Sequence, residues 1–255
     1  MTEVRAKKFL GQHFLTDEGI ARRIVGSLAP ESHHVLEIGP GMGVLTKYLI
    51  NRPDTDFHVV EIDRESVAYL HDHYPTLDVI EGDFLKLDLN TLFNEPYAII
   101  GNFPYNISSQ ILFRVFECRN QVGEVVGMFQ KEVAERVAEK PGSKTYGILS
   151  VLLGAFFEAE YLFTVHENVF NPPPKVKSAV IRLTRNNVSH LECDEQLFVQ
   201  VVKAGFNQRR KTLRNALRSA GLPVDTVPGE TLAKRAEQLS VGEFITLTKT
   251  IQQCI

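Results

Sequence analysis

Along the first two-thirds of the chain, short apolar runs of strand length alternate with segments whose apolar residues recur at helical spacing. "GIARRIVGSL" reads as a helix, "HVLEIG" as a strand, "VLTKYLI" as a helix and "FHVVEID" as a strand. The alternation continues through "SVAYLHDHY", "LDVIEGDF", "YAIIGNF", "SSQILFRVF", "GEVVGMFQ" and "KEVAERVAE". It predicts an α/β fold built from βαβ units, a doubly wound and mostly parallel sheet with helices on both faces. Two further β-like runs, "AEYLFTVHENVF" and "SAVIRLTR", flank "NPPPK". They suit an antiparallel pair at the sheet edge, because a proline triplet cannot lie within a central strand. "YGILSVLLGAFF" is too short to span a bilayer and reads as a core helix. Beyond residue 186 the segments "DEQLFVQVVKAGFNQRRKTLRNALRSAGL", "TLAKRAEQL" and "VGEFITLTKTIQQC" are all helical in period. The expected division is therefore a domain over 1–186 and a small all-helical domain over 187–255.

Composition narrows the class. At 255 residues with 44% hydrophobic and 23% charged, the chain suits one large globular domain or a domain with a small companion. The N-terminal "MTEVRAKKFLGQHFL" has charges but no apolar core of signal-peptide length. Cys118, Cys193 and Cys254 are scattered and odd in number. They form neither a metal spacing nor a disulfide framework, so a cytoplasmic, reducing setting is expected. No membrane association is expected. The remaining histidines (His33, His34, His58, His71, His73, His166 and His190) have no ligand spacing with cysteine, and no metal is expected. The net charge of −3 argues against a polyanion, but its distribution does not. Residues 172–219 hold ten Lys/Arg against three acids, a local +7 that leaves −10 on the rest. Such a zone is either a solvated helix face or an electrostatic footprint.

"VLEIGPGMGVLTKYL" is a strand, a glycine turn and a helix, with Gly39, Gly41 and Gly43 at GxGxG spacing. Glycine there lets backbone approach a ligand and take positive φ. Taken alone the turn is weak, since such turns are common for structural reasons. Glu61 ends the next strand roughly 20 residues later, where an acid accepts hydrogen bonds from ribose hydroxyls. Asp83 ends the third strand beside Phe84; the acid suits an adenine amino group and the ring suits the base face. Acids at strand ends are also ordinary helix caps. Together the three features mark a nucleotide-type crevice.

The fourth strand ends in Asn102-Phe103-Pro104-Tyr105, beside the same crevice. An exocyclic amine such as adenine N6 is a poor nucleophile, because its lone pair is delocalised into the ring. Acceptors on its N–H groups return electron density to nitrogen, and the Asn102 side-chain oxygen and Phe103 carbonyl supply two. Pro104 restricts the residue before it to an extended conformation. Tyr105 offers a face for an extruded base. No strong base is needed, since the amine loses its proton readily once it has become cationic; positioning and electrostatics carry the rate. A plain β-turn would also use these residue types.

"EIGPGMG", "EID", "GDF" and "NFPYN" resemble the motifs of class I S-adenosylmethionine-dependent methyltransferases, and Asn-x-Pro-Tyr resembles the tetrad of adenine N6-methyltransferases. "KKFLGQHFLTD", "FQKEVAERV", "VFNPPPKVKSAVIRL" and "FNQRRKTLRNAL" resemble the KsgA (RsmA) family of 16S rRNA adenine dimethyltransferases, over nearly the whole chain. The resemblance implies a Rossmann-like methyltransferase domain that binds cofactor, followed by a small helical domain for RNA. It implies dimethylation of two adjacent adenosines near the 3′ end of 16S rRNA in the immature small subunit. S-adenosylmethionine would be held by Gly39, Gly41, Glu61, Asp83, Phe84 and Asn102, with His13 and Leu15 closing over it. Residues 102–105 would hold the target adenine. The family usually has Asn at His13 and Leu at Phe103; backbone contacts at either position would survive. Lys175, Lys177, Arg209, Arg210, Lys211, Arg214 and Arg218 are the candidate RNA contacts. On one helix Asn207, Arg210 or Lys211, Arg214 and Arg218 would share a face. With no coiled-coil seam, a monomer is expected.

Other readings share parts of this pattern. An Erm-type enzyme acting on large-subunit rRNA has the same cofactor motifs and tetrad. An assembly-checkpoint factor, with methylation secondary, would use the same surface. Small-molecule and DNA adenine methyltransferases fit less well, given the C-terminal segment.

Overall fold

The computed structural model describes residues 4–254, so positions 1–3 of the N-terminal stretch and residue 255 lie outside it. Among the described residues nine strands form: β1 (Phe14–Leu15), β2 (His34–Ile38), β3 (Asp56–Glu61), β4 (Asp78–Glu81), β5 (Tyr97–Asn102), β6 (Val122–Gln130), β7 (Phe157–Val165), β8 (Phe170–Asn171) and β9 (Ser178–Arg185). Seven of them make one sheet in the order β4-β3-β2-β5-β6-β9-β7. The first five of that order are parallel and β9 runs antiparallel to β6, giving the expected antiparallel edge. The run "AEYLFTVHENVF" is not one strand. It divides into β7, a 3-10 turn (Glu167–Val169) and β8, which leaves the main sheet to pair with β1.

The central strands are apolar on both faces because both are covered. Neighbouring residues Val35 and Leu36, Ile99 and Ile100, and Val125 and Val126 are all fully buried. On one face, Val35, Ala98, Ile100, Val126 and Val180 pack with Ala21 and Ile24 of α1 (Glu18–Val25) and Leu49 of α2 (Thr46–Leu49). Val59 of β3 and Leu70 of α3 (Arg64–His73) form a smaller cluster. Acids start these helices where the sequence places them: Asp17 caps α1 through the Ile20 amide and Asp63 caps α3 through the Glu65 amide. The chain continues through α4 (Ser108–Glu117) and α5 (Lys131–Ala138).

The chain divides into two compact units, Met1–Ala134 with Glu158–Arg185 and Glu135–Phe157 with Asn186–Ile255. The C-terminal break falls at Arg185 and Asn186, beside the expected 186, and residues 135–157 join the second unit. The second unit also takes in α6 (Ile148–Gly154), whose residues Leu149–Leu153 are buried against α7 (Glu195–Asn207) and α10 (Val241–Gln252). Between those two lie α8 (Leu213–Ser219) and α9 (Gly229–Ala233). Ser240 and Glu243 form a reciprocal capping box at the start of α10. The Lys234 ammonium, 2.8 Å away, and the Ser240 amide hold the Glu243 carboxyl down to about 2. No helix among the described residues is long and apolar enough to cross a membrane.

Candidate active site

The strand order reverses between β2 and β5, and a doubly wound sheet takes its ligand in the crevice at the carboxyl ends of such strands. The turn after β2, the end of β3, the turn after β4 and the tetrad after β5 meet there around a cavity of about 170 Å³. Gly39 and Gly41 are in its wall. Gly41 takes φ +56°, and a Cβ on it would fall 2.9 Å from the Phe14 ring. Glycine is what lets the N-terminal segment close on the turn.

Glu61 is a fixed acceptor on the cavity wall. Its carboxylate takes the Gly41 amide at 3.1 Å and the Ile62 and Asp63 amides at 2.8 Å each. Burial pushes its carboxyl up, and these three N–H groups pull the other way. Asp83 and Phe84 also line the cavity. Asp83 caps the short turn Phe84–Lys86 as well, accepting the Leu85 amide at 3.0 Å. The capping and ligand-facing readings thus coexist in one residue. Ile62, half exposed, joins the wall. Its place inside "EID" is the one signal of it in the sequence.

The tetrad is positioned from both sides. Asn102 lines the cavity; its Nδ2 donates to the His13 carbonyl at 2.8 Å, and among the described residues no donor bonds its Oδ1. The Phe103 amide donates to the Met128 carbonyl at 3.1 Å, extending the β5–β6 ladder by one step. Among the described residues no donor bonds the Phe103 carbonyl. Its ring, buried to 1%, lies beside Phe129 with centroids 4.8 Å apart. A Cβ on Gly127 would fall 2.1 Å from that ring, so the small residue of β6 makes its slot. Tyr105 bonds through its hydroxyl to the buried Ser178 of β9, and its half-buried ring lies 5.1 Å from the His13 ring. Burial pushes the Tyr105 phenol up, and the Ser178 bond opposes this. Neither Ser178 nor Gly127 stood out in sequence.

The segment from Lys7 to Leu15 is fastened across the crevice. Lys7 reaches Asp63 at 2.5 Å and Glu65 at 3.2 Å, and Gln12 donates to Asp63 at 3.3 Å. Burial raises the Asp63 carboxyl, but the bonds from Lys7, Gln12 and the Glu65 amide outweigh it and hold the group low. His13 bonds through Nδ1 to the Pro172 carbonyl at 2.7 Å. The contact of position 13 with Asn102 is made by backbone, so it does not depend on the family's usual Asn. Leu15 is buried. Its side chain is 4% exposed in the core beneath β1 and does not line the main cavity. It borders an adjoining cavity of about 240 Å³, which shares Phe14, Gly39 and Asn102 with the first. Phe14 takes the main wall instead because side chains alternate across the β1–β8 pair. Glu37, 1% exposed, lines the second cavity and accepts from Thr46 at 2.7 Å. Burial pushes its carboxyl up to about 8; the Thr46 bond opposes this and the charge of Glu61 adds to it.

The candidate RNA residues divide. Lys175 and Lys177 are exposed in the first unit, and Arg210, Lys211 and Arg218 are exposed in the second, with Arg214 half-buried. Arg209 is half-buried, and its guanidinium donates to the carbonyls of Ser143, Lys144 and Tyr146. The single basic helix is corrected. The chain turns between Asn207 and Leu213, where the Lys211 amide bonds the Gln208 carbonyl and the Leu213 amide bonds the Lys234 carbonyl. Only Arg214 and Arg218 share one helix. Among the described residues no cluster of His, Cys, Asp or Glu has the form of a metal site.

Comparison with known proteins agrees with this architecture. The sequence model for the family described as ribosomal RNA adenine dimethylase matches residues 3–253. The ribosomal RNA small subunit methyltransferase A of Cytophaga hutchinsonii is 60% identical, over 98% of this chain and 99% of its own. The protein of that name from Flavobacterium johnsoniae is 58% identical, over 99% and 98%. Among solved structures, a dimethyladenosine transferase from Plasmodium falciparum superposes with a TM-score of 0.75, at 27% identity over 92% of this chain and 96% of that one. The 23S rRNA methyltransferase ErmE gives 0.68 at 27% identity, over 92% and 99%. With its glycine turn, paired acids and Asn-Phe-Pro-Tyr tetrad on the ends of one doubly wound sheet, the chain belongs to the ribosomal RNA adenine dimethylase family.

Proposed function

We propose that the protein transfers methyl groups from S-adenosylmethionine to N6 of two adjacent adenosines near the 3′ end of 16S rRNA, dimethylating each. Its substrate is the immature small subunit in the cytoplasm, and it acts as a monomer. Relatives named for the small subunit, matched over nearly full length, support this choice. The observation that carries the chemistry is the pair of unbonded acceptors at the tetrad, Asn102 Oδ1 and the Phe103 carbonyl, beside a cavity with nucleoside-binding groups.

The residues present fit S-adenosylmethionine. Glu61 offers a rigid acceptor for ribose hydroxyls, Asp83 an acceptor for the adenine amine, and Phe84 and Ile62 apolar walls. Gly39, where an added Cβ would come no nearer than 3.9 Å to Pro104, leaves room beside them. When bound, this cofactor supplies an electrophilic sulfonium methyl. The chain supplies orientation. Asn102 Oδ1 and the Phe103 carbonyl accept from the two N–H groups of the target amine in the first transfer, and one of them accepts from the single N–H left in the second, turning the lone pair out of conjugation; the amine then gives up its proton to solvent. Tyr105, braced by Ser178 and flanked by His13, stacks on the extruded base. As positive charge grows on the amine, the two carbonyl dipoles stabilise it without reorganisation. Lys175, Lys177, Arg210, Lys211, Arg214 and Arg218 meet the phosphates; Leu15 supports the segment that closes the site.

The test is incubation with labelled S-adenosylmethionine and small subunits lacking dimethyladenosine, with large subunits alongside, followed by mass spectrometry of the nucleosides. Dimethyladenosine confined to small-subunit rRNA is the expected result. Label in large-subunit rRNA would move the protein to the Erm-type activity. Tight small-subunit binding with no transfer would leave a binding factor.

A further inference from the structure

At the mouth of the cavity, a short 3-10 turn over Lys8–Leu10 leaves one aromatic ring in water. Phe9 is 77% exposed, more than any other large apolar side chain among the described residues. Its backbone is nevertheless held. The Leu10 amide bonds the Lys7 carbonyl and the Gly11 amide bonds the Lys8 carbonyl, each at 3.0 Å. Gly11 closes the turn at φ +67°, and a Cβ on it would fall 2.6 Å from Asn106 Oδ1. Asn106 Nδ2 in turn donates to the Phe9 carbonyl at 3.1 Å. Asn106 follows the tetrad directly, and Asn106, Leu10, Gly11 and Gln12 all line the cavity. The ring is thus carried on a fixed lip, one residue from the cavity wall, with its faces in solvent.

The stretch of chain just before the ring is cationic. Arg5 and Lys8 are exposed, and neither forms an ion pair among the described residues, whereas Lys7 is committed to Asp63 and Glu65. An exposed aromatic that follows exposed cations in the chain is the composition of a surface for unpaired nucleotides, where bases stack on rings and phosphates meet Lys and Arg. Extruding one base also leaves its neighbour without a stacking partner.

We infer that Phe9 is a stacking platform for the nucleobase that flanks the target adenine. This rests on the methyl-transfer reading above. It gives the site a place for one adenosine of an adjacent pair at the lip while the other is at Asn102 and Tyr105, in either round of modification.

The test compares the full-length wild-type chain with Phe9→Ala, Phe9→Leu and Phe9→Trp, on small subunits lacking dimethyladenosine, with S-adenosylmethionine binding measured by calorimetry. One base stack lost corresponds to a fall of about 10-fold in kcat/KM for Phe9→Ala, carried by KM. Phe9→Leu is expected to remain low, Phe9→Trp to match the wild type, and cofactor binding to change less than about twofold, since the ring lies in solvent. An active wild type with Phe9→Ala within about twofold of it overturns the stacking alone. So does Phe9→Leu performing as well as Phe9→Trp, which would mean apolar contact rather than stacking. An inactive wild type overturns both this inference and the reaction it rests on.

Discussion

The Phe103 ring occupies a slot that exists because positions 101 and 127 are glycine, with added Cβ atoms falling 2.7 Å and 2.1 Å from it. The side chain, 1% exposed, anchors the tetrad to the core, and Phe103 lines the cavity. A Leu in its place, usual in the family, fills the slot less tightly. Gly127→Ala is therefore expected to cost roughly 1–3 kcal/mol by overpacking, and Phe103→Leu in the same chain to recover part of it. Urea midpoints of the two single variants and the double variant measure this, and simple additivity would contradict it. Glu37 carries a prediction of a different kind. Its folded carboxyl lies near 8, above its ordinary 4.5, so the folded state holds a proton that the unfolded state has lost in between. Its contribution is present below 4.5 and declines as pH rises through 8. Glu37→Gln keeps an acceptor for Thr46 and is expected to flatten the fall in stability across that interval. A denaturation midpoint whose pH slope is unchanged by the substitution would refute this. Residue types told much here, but not orientation. Asn102 and Tyr105 were legible as an acceptor and a ring, whereas the His13 carbonyl and the Ser178 hydroxyl that aim them come from positions 89 and 73 residues away.

Alternation of strand and helix along the chain was enough to give the main sheet, because its central strands are buried on both faces and read as unbroken apolar runs. The break between α7 and α8 was not legible. "FNQRRKTLRNAL" holds no Gly or Pro and has an unbroken helical period. What breaks it is tertiary: Arg209 binds three carbonyls of residues 143–146 and Leu213 hydrogen-bonds Lys234. For the same reason α6 could not be assigned by sequence order to the helices it packs with. The N-terminal segment is the element on which closure of the site depends, and Asp63 is its anchor through Lys7 and Gln12. Asp63 also caps α3. Asp63→Ala is expected to lower global stability by about 1 kcal/mol through the lost cap, with more if Lys7 finds no other partner. Hydrogen exchange across residues 7–15 should rise while that of β5 stays protected. Equal protection of the segment in the variant would contradict its role as anchor.

Across the whole chain, charge is segregated, with +7 on residues 172–219 and −10 elsewhere. Several cations of that zone have structural partners: Arg182 pairs with Glu160, Arg185 donates to the Arg119 carbonyl and Arg209 binds the carbonyls already named. Fewer cations are therefore left for the proposed RNA contacts than the count implies: Lys175 and Lys177 in one unit and Arg210, Lys211, Arg214 and Arg218 in the other. Replacing both Arg214 and Arg218 with Ala is expected to lower the magnitude of the log Kd against log salt slope by about 1 to 2, with sequence choice unchanged. A slope that does not move would take both residues out of the footprint. The central claim is that Asn102 Oδ1 and the Phe103 carbonyl activate the adenine amine, and one measurement tests it most directly. That measurement is the single-turnover rate of methyl transfer to small-subunit rRNA by Asn102→Ala, with cofactor and subunits saturating and subunit binding measured in parallel. The account predicts a fall of about 100-fold or more with subunit binding intact. A rate within about threefold of the wild type would contradict it.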